Sequence, residues 1–168
     1  MTIRLEQPED GAAIRQVVTA AFGQAAEADL VDKLRAHGKA VVSLLAEIEG
    51  QIAGHILFSE VTVETNPRNR KLIGLAPLAV IPARQRSGIS AQLTRAGLAA
   101  CRAAGYDGAI VLGHPEYYPR FGFVPASRFG ITSEYDVGDE VFMVLELTEG
   151  ALADCRGLAR YQPEFNEL

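Results

Sequence analysis

Leu72-Ile-Gly-Leu-Ala-Pro-Leu-Ala-Val-Ile81, then Pro82-Ala-Arg-Gln-Arg-Ser-Gly-Ile-Ser90, then a helical pattern closing at Gly105, form the stretch around which the chain is organised. The apolar run has the composition of a buried strand. The residues beyond it open a helix, because Ile89, Leu93, Ala96, Gly97, Ala100, Cys101 and Ala104 recur at helical spacing along one face. Between strand and helix lies the turn Gln85-Arg86-Ser87-Gly88-Ile89-Ser90, reached from the strand through Pro82-Ala-Arg84 alone. Gly88 has no side chain to keep a ligand off the backbone. Free N–H groups and a dipole worth roughly half a positive charge gather at a helix N-terminus, so this turn suits a phosphate or pyrophosphate.

Charge singles out the same region. The formal net charge is -5, yet no Asp or Glu stands between Glu64 and Asp107, an interval that holds Arg68, Arg70, Lys71, Arg84, Arg86, Arg95 and Arg102. A local positive field raises the concentration of anions, and here it coincides with the helix-opening turn, which a merely solvated basic face has no reason to do. The acidic balance of the whole chain, and a basic stretch that is short and poor in aromatics, argue against a nucleic-acid partner.

A chain of 168 residues is the size of one domain with a substantial core, so residues 1–168 read as a single domain with 150–168 as a peripheral C-terminal tail. Cys101 on the apolar helix face and Cys155 near the C-terminus make no disulfide or metal spacing, and no metal site is expected. Lacking a charge-free apolar run of about 18 residues and an apolar N-terminal core, the chain is expected to be cytoplasmic, with no membrane partner.

The remaining elements are read from local signals. Ile3 and Leu5 alternate with polar neighbours in a first strand, and Pro8 suits the first turn of a helix whose buried stripe is Ile14, Val17, Val18, Ala21 and Phe22, punctuated by Gly23. A second helix covers Glu27 to His37, with Gly38 as its stop. Val41–Ile48 and Gln51–Val63 are strands around a Glu49-Gly50 turn, and Asn66-Pro67 turns the chain into the central strand. After the long helix come a short buried strand, Gly108–Leu112, a short helix, and the last paired strands at Gly122–Val124 and Val141–Leu147. This order gives an α/β (α+β) protein with a mixed, mostly antiparallel central sheet and helices on both faces.

A second constellation, Gly113-His-Pro-Glu-Tyr-Tyr-Pro-Arg-Phe-Gly-Phe123, concentrates aromatic residues. Phe121 and Phe123 fit an aromatic plug over the sheet. Tyr117 and Tyr118 are adjacent and cannot share one face, so at least one hydroxyl is expected in a cleft or in solvent. Gln85-x-x-Gly88-x-Ser90 after Val80-Ile-Pro82 resembles the coenzyme A pyrophosphate signature of the GNAT superfamily of N-acetyltransferases, Gln/Arg-x-x-Gly-x-Gly/Ala, with Ser90 departing from its last position. Tyr118-Pro-Arg-Phe-Gly122-Phe123 resembles the same family's Tyr-x-x-x-Gly-Phe element near the reaction centre. The whole Gly-His-Pro-x-Tyr-Tyr-Pro-x-Phe-Gly-Phe block is similar to that of a small bacterial subgroup. The two blocks stand in the family's order, and the resemblance spans roughly residues 2 to 147.

The resemblance implies acetyl-CoA as cofactor, a splay between the central strand and the strand after the long helix, and transfer of acetyl to a primary amine of a small molecule or peptide by a monomer or homodimer. It implies that Gln85, Arg86, Ser87, Gly88, Ile89 and Ser90 hold the pyrophosphate, that Leu78, Ala79 and Val80 offer backbone groups to the pantetheine arm and the developing oxyanion, and that Tyr118 is the general acid. Pro77 cannot donate a ladder hydrogen bond, so the strand is expected to be irregular over Pro77–Ala79. His114 and Tyr117 are candidates for the cofactor side, His114 alternatively capping the short helix. Arg84, Arg86 and Arg68 or Arg70 are candidates for the 3′-phosphate. In the strand from Gln51, His55 and Ser59 share one face, His55 as a core histidine, while Glu60 on the other is a candidate base if an apolar cleft raises its carboxyl pKa. A non-catalytic acyl-CoA-binding or sensing module is the alternative. A Rossmann phosphate site is disfavoured by the absence of Gly-x-Gly-x-x-Gly.

Overall fold

Glu49 (φ 52°) and Gly50 (φ 78°) both take the left-handed conformation, as a two-residue hairpin turn that matches strand twist requires. In the computed structural model, which describes residues 1–168, this turn joins β2 (Val42–Ile48) to β3 (Gln51–Thr65), paired from Val42↔Phe58 to Ile48↔Gln51. The chain divides into two units, residues 1–59, 76–100 and 163–168 in one and 60–75 with 101–162 in the other. β3, β4 (Leu72–Val80) and α3 (Ile89–Ala103) run from one unit into the other.

In the first unit β1 (Thr2–Leu5) pairs antiparallel with β2, and β2 with β3. Helices α1 (Gly11–Phe22) and α2 (Ala26–Ala36) come after β1. Gly23 ends α1 at φ 72°, its N–H donating to the Thr19 carbonyl. Arg35 of α2 forks onto the Glu6 carboxylate at 2.7 and 2.8 Å, which ties the helix to the end of β1. On β3 the residues that include His55 face this side. A Cβ on Gly54 would instead stand 3.0–3.1 Å from Leu93 and Ile89, so α3 covers the opposite face.

The contact between α3 and the sheet is close enough to require glycine at position 97. A Cβ there would lie 2.4 Å from Cε2 and 2.8 Å from Cζ of Phe58, whose side chain is wholly buried. Alanine for glycine in a helix ordinarily gains about 1 kcal/mol, whereas forcing a methyl into a filled core costs about 1–3 kcal/mol. At this separation the clash wins. Gly97→Ala is expected to lower unfolding stability by up to about 2 kcal/mol, read from the denaturant midpoint, and a gain in stability would contradict this packing.

The second unit holds the parallel pair of the molecule's central crossover, β4 with β5 (Gly108–Leu112), running from Leu72↔Gly108 to Leu75↔Val111 and no further. β8 (Phe142–Glu146) pairs antiparallel with β5 and also with the two-residue β6 (Val124–Pro125). β9 (Arg156–Arg160) pairs antiparallel with the end of β3 and parallel with β7 (Ile131–Ser133). The mixed, largely antiparallel sheet with helices is the architecture that the order of sequence signals implies.

Two expectations need correction. Residues 150–168 are not a peripheral tail, since they contribute β9 and bury Leu152, Cys155, Tyr161 and Phe165. Arg156-Gly-Leu-Ala-Arg160 joins the sheet through backbone hydrogen bonds, with Gly157 at φ 92°, and carries no apolar alternation to announce it. Gly122 belongs to no strand. It ends a 3-10 turn, Tyr118–Phe121, at φ 99°, and the strand begins at Val124. No helix is long and apolar enough to cross a membrane.

Candidate active site

The turn Gln85–Ser90, expected from the sequence to suit a phosphate, lies wholly in the first unit, between β4 and α3. At the end of β4, the Ile81 N–H donates to the Ala53 carbonyl (2.9 Å), and the Gln85 side-chain amide folds back to donate to the Val80 carbonyl (3.1 Å). Gln85 thus pins the turn to the strand. Ser87 Oγ donates to the Arg84 carbonyl. Arg86 (φ 62°) and Gly88 (φ 87°) both adopt left-handed backbone, a curvature that turns successive amides toward one side. The Gly88 carbonyl accepts from the Gln92 N–H (3.1 Å), so the helical ladder starts at Gly88 and the first amides of α3 have no acceptor inside the helix.

Pro82 through Gly88 are exposed while Ile89 is buried, so the side chain of Ile89 anchors the start of α3 beside an exposed turn. Arg84 and Arg86 are exposed beside it. Arg68 and Arg70, the other candidates for the 3′-phosphate, meet carboxylates instead: Arg68 lies 2.8 Å from Asp154 and Arg70 4.0 Å from Asp107.

β4 extends through Val80, with the Ala76–Pro77 peptide in the cis form. The irregularity expected over Pro77–Ala79 takes another form: pairing with β5 stops at Leu75, so Leu78, Ala79 and Val80 have no partner in that strand. Proline at 77 has no N–H to extend the ladder.

The aromatic block lies in the second unit, after β5. The Gly113 N–H donates to the Val141 carbonyl (2.9 Å), and the His114 carbonyl accepts from the N–H groups of Tyr117 (3.1 Å) and Tyr118 (3.4 Å). His114 therefore shapes the loop through its backbone, while its ring is on the exposed side. Tyr118 is 8% exposed and enclosed by Tyr117, Phe121 and Phe123, with edge-on contacts to Tyr117 (5.1 Å) and Phe123 (5.7 Å). Burial, helped by the neighbouring Tyr117, pushes its phenol up to about 12. Tyr117 is half-buried beneath the Arg120 guanidinium, 4.4 Å from the ring centre.

Glu60 does not have the surroundings that its reading as a base required. It is exposed and accepts a hydrogen bond from the Tyr106 hydroxyl at 2.7 Å, where the expectation placed it in an apolar cleft. His55 is a core histidine, wholly buried with Nε2 2.8 Å from Ser43 Oγ. Burial lowers its pKa to about 4, so it is neutral at physiological pH. Cys101 is buried and its thiol is pushed up to about 12, which makes it inert packing. Sequence reasoning misses Tyr161, a buried tyrosine whose ring occupies the space a side chain on Gly74 would fill, Cε1 lying 2.5 Å from that Cβ position. A lone tyrosine before Gln162-Pro163 gives no periodic signal.

The structure thus assembles Leu78, Ala79, Val80 and Gln85 through Ser90 in one unit, and Glu60, His114, Tyr117 and Tyr118 in the other. The first unit carries an exposed helix-opening turn of the kind that suits an anion, and the second a buried phenol, a group able to donate a proton.

Known proteins match this chain along most of its length. The sequence profile of the acetyltransferase (GNAT) domain matches residues 2–126. The uncharacterized N-acetyltransferase YjhQ of Escherichia coli is 41% identical over 142 residues, covering 83% of this chain and 78% of YjhQ. The uncharacterized N-acetyltransferase YhbS of the same species is 35% identical over 169 residues and the full length of both. The crystal structure of YhbS in complex with CoA superposes with a TM-score of 0.92, covering 98% of this chain and 91% of that one. A GNAT family acetyltransferase of Brucella melitensis, in complex with acetyl-CoA, is 38% identical with a TM-score of 0.80, covering 98% and 97%. This chain belongs to the GNAT family of acetyltransferases.

Proposed function

We propose that this protein transfers an acetyl group from acetyl-CoA to a primary amine of a small molecule or peptide. The observation that carries the reading is the exposed turn Arg86–Gly88, with its two left-handed residues and adjoining arginines at the start of a 15-residue helix. Its residues fit a pyrophosphate: the turn is exposed at a helix N-terminus, where the dipole is positive, and no acidic side chain occurs from Thr65 to Tyr106. The complexes of YhbS with CoA and of the Brucella protein with acetyl-CoA support the same ligand.

When bound, acetyl-CoA supplies the acetyl group as a thioester whose sulfur is the leaving group. The backbone N–H groups of the Leu78–Val80 stretch, unpaired with β5, hold the negative charge that develops on the carbonyl oxygen as the amine attacks. Tyr118 gives its hydroxyl proton to the sulfur as the carbon–sulfur bond breaks, and recovers it from water. The amine's own surplus proton leaves to water. Glu60 has no part in this scheme. A non-catalytic acyl-CoA sensor is disfavoured because the relatives are named as transferases.

The test is thiol release by purified protein from acetyl-CoA across a panel of small amines, aminoglycosides and peptides. Amine-dependent release well above hydrolysis is expected for at least one class. Tight CoA binding with no amine-dependent release anywhere in the panel would favour the sensing module and overturn the proposal.

A further inference from the structure

The Tyr118 ring fills the space that a side chain at Gly113 would occupy. A Cβ built on Gly113 would lie 2.3 Å from Cε2, 2.9 Å from Cδ2 and 3.4 Å from Cζ of the Tyr118 ring. Real Cβ atoms do not approach that closely, so one methyl group would have to displace the ring. Gly113 does not take positive φ, unlike Gly88 or Gly122, so its backbone is open to any residue and the Tyr118 ring is what demands glycine. Neither partner has easy room to yield. The Gly113 N–H is fastened to the Val141 carbonyl at 2.9 Å, and the ring is backed by Phe123 at 5.7 Å, itself 2% exposed, with Tyr117 at 5.1 Å alongside.

We infer that Gly113 is a positioning residue for the reaction: by leaving out a side chain it lets the Tyr118 ring seat against the end of β5 and so fixes the depth at which the phenolic oxygen meets the leaving sulfur. This rests on the reading of Tyr118 as the proton donor. Misplacement of a reacting group by about 1 Å costs up to about a hundredfold. A single methyl that pushes the ring aside is accordingly expected to cost turnover and not cofactor binding, because the phosphate cradle is built by β4 and α3.

The experiment compares Gly113→Ala in the wild type and in a Tyr118→Phe background, with thermal unfolding recorded for each variant. In the wild type, kcat should fall about tenfold with KM for acetyl-CoA changed less than about twofold. In the Tyr118→Phe background, where there is no hydroxyl to misplace, the same substitution should leave kcat where it is. An equal fall in both backgrounds, or full kcat in a folded Gly113→Ala protein, overturns the inference. Full kcat in Tyr118→Phe alone, beside a fall in Gly113→Ala, overturns the proton-donor reading on which it rests. Should Gly113→Ala fail to fold, Phe123→Leu opens space behind the ring. The double variant should then still turn over about tenfold more slowly than Phe123→Leu alone, and equal rates would overturn the inference.

Discussion

Tyr118→Phe is expected to lower kcat by about a hundredfold while leaving CoA affinity and thermal stability unchanged. General acid help is worth about 10²- to 10⁴-fold, and the raised pKa of the phenol, which weakens it as an acid, places the effect near the lower end. Burial raises the phenol to about 12, so the hydroxyl is protonated throughout pH 6 to 9 and always available as a donor. The same rise makes it a weaker acid than a phenol of ordinary pKa, about 10, which reduces the driving force for handing the proton to sulfur. Phenylalanine keeps the ring that Tyr117, Phe121 and Phe123 enclose, so packing survives and the loss reports on the hydroxyl alone. Tyr117→Phe, at a half-buried ring under Arg120, is the control and should cost much less. Because the donor stays protonated, no alkaline fall in rate belonging to Tyr118 should be seen below pH 9. Full turnover in a folded Tyr118→Phe protein, with chemistry shown to be rate-limiting, would remove the hydroxyl from the mechanism.

Much of the frame is legible in the sequence because it is written in local chemistry. The run from Leu72, the turn at Gly88 and the stripe from Ile89 to Cys101 combine periodicity with backbone demands, and they appear as β4, a left-handed turn and α3. Glu49-Gly50 is legible for the same reason. Alternation along β3 separates buried His55 and Ser59 from exposed Glu60, but alternation names only a face. Whether that face meets an apolar cleft or water depends on elements far off in the chain, and Glu60 meets Tyr106 and solvent. β7 and β9 are invisible because short segments recruited by backbone pairing to an existing edge need no pattern of their own. The dependence of Tyr118 on Gly113 is equally hidden, since nothing in a five-residue spacing says that one residue's missing Cβ is filled by the other's ring.

Gly88→Val should weaken CoA binding by about 10- to 100-fold without unfolding the protein. At φ 87° a valine is strained, since left-handed backbone costs an L-residue roughly 1–2 kcal/mol and a β-branched one more. No atom lies within 4 Å of the site where its Cβ would stand, so the free protein suffers no clash and the side chain extends into the open space over the turn. That space is where a phosphate must come to reach the first amides of α3. Either the valine keeps the strained backbone and its methyls block the approach, or the backbone relaxes and swings those amides away. A hydrogen bond to a charged group is worth about 1.5–3 kcal/mol, and each 1.4 kcal/mol is a decade in affinity, which sets the expected range. The fold should hold because α3 is anchored through Ile89, Leu93, Leu98 and Cys101, all buried and untouched by the change. Affinity should also fall as salt is raised in the wild type, since exposed Arg84 and Arg86 act through a screened field. Calorimetric titration of CoA into both proteins, beside their melting curves, decides the matter: an unchanged Kd in a folded Gly88→Val protein would show that the pyrophosphate does not sit on this turn.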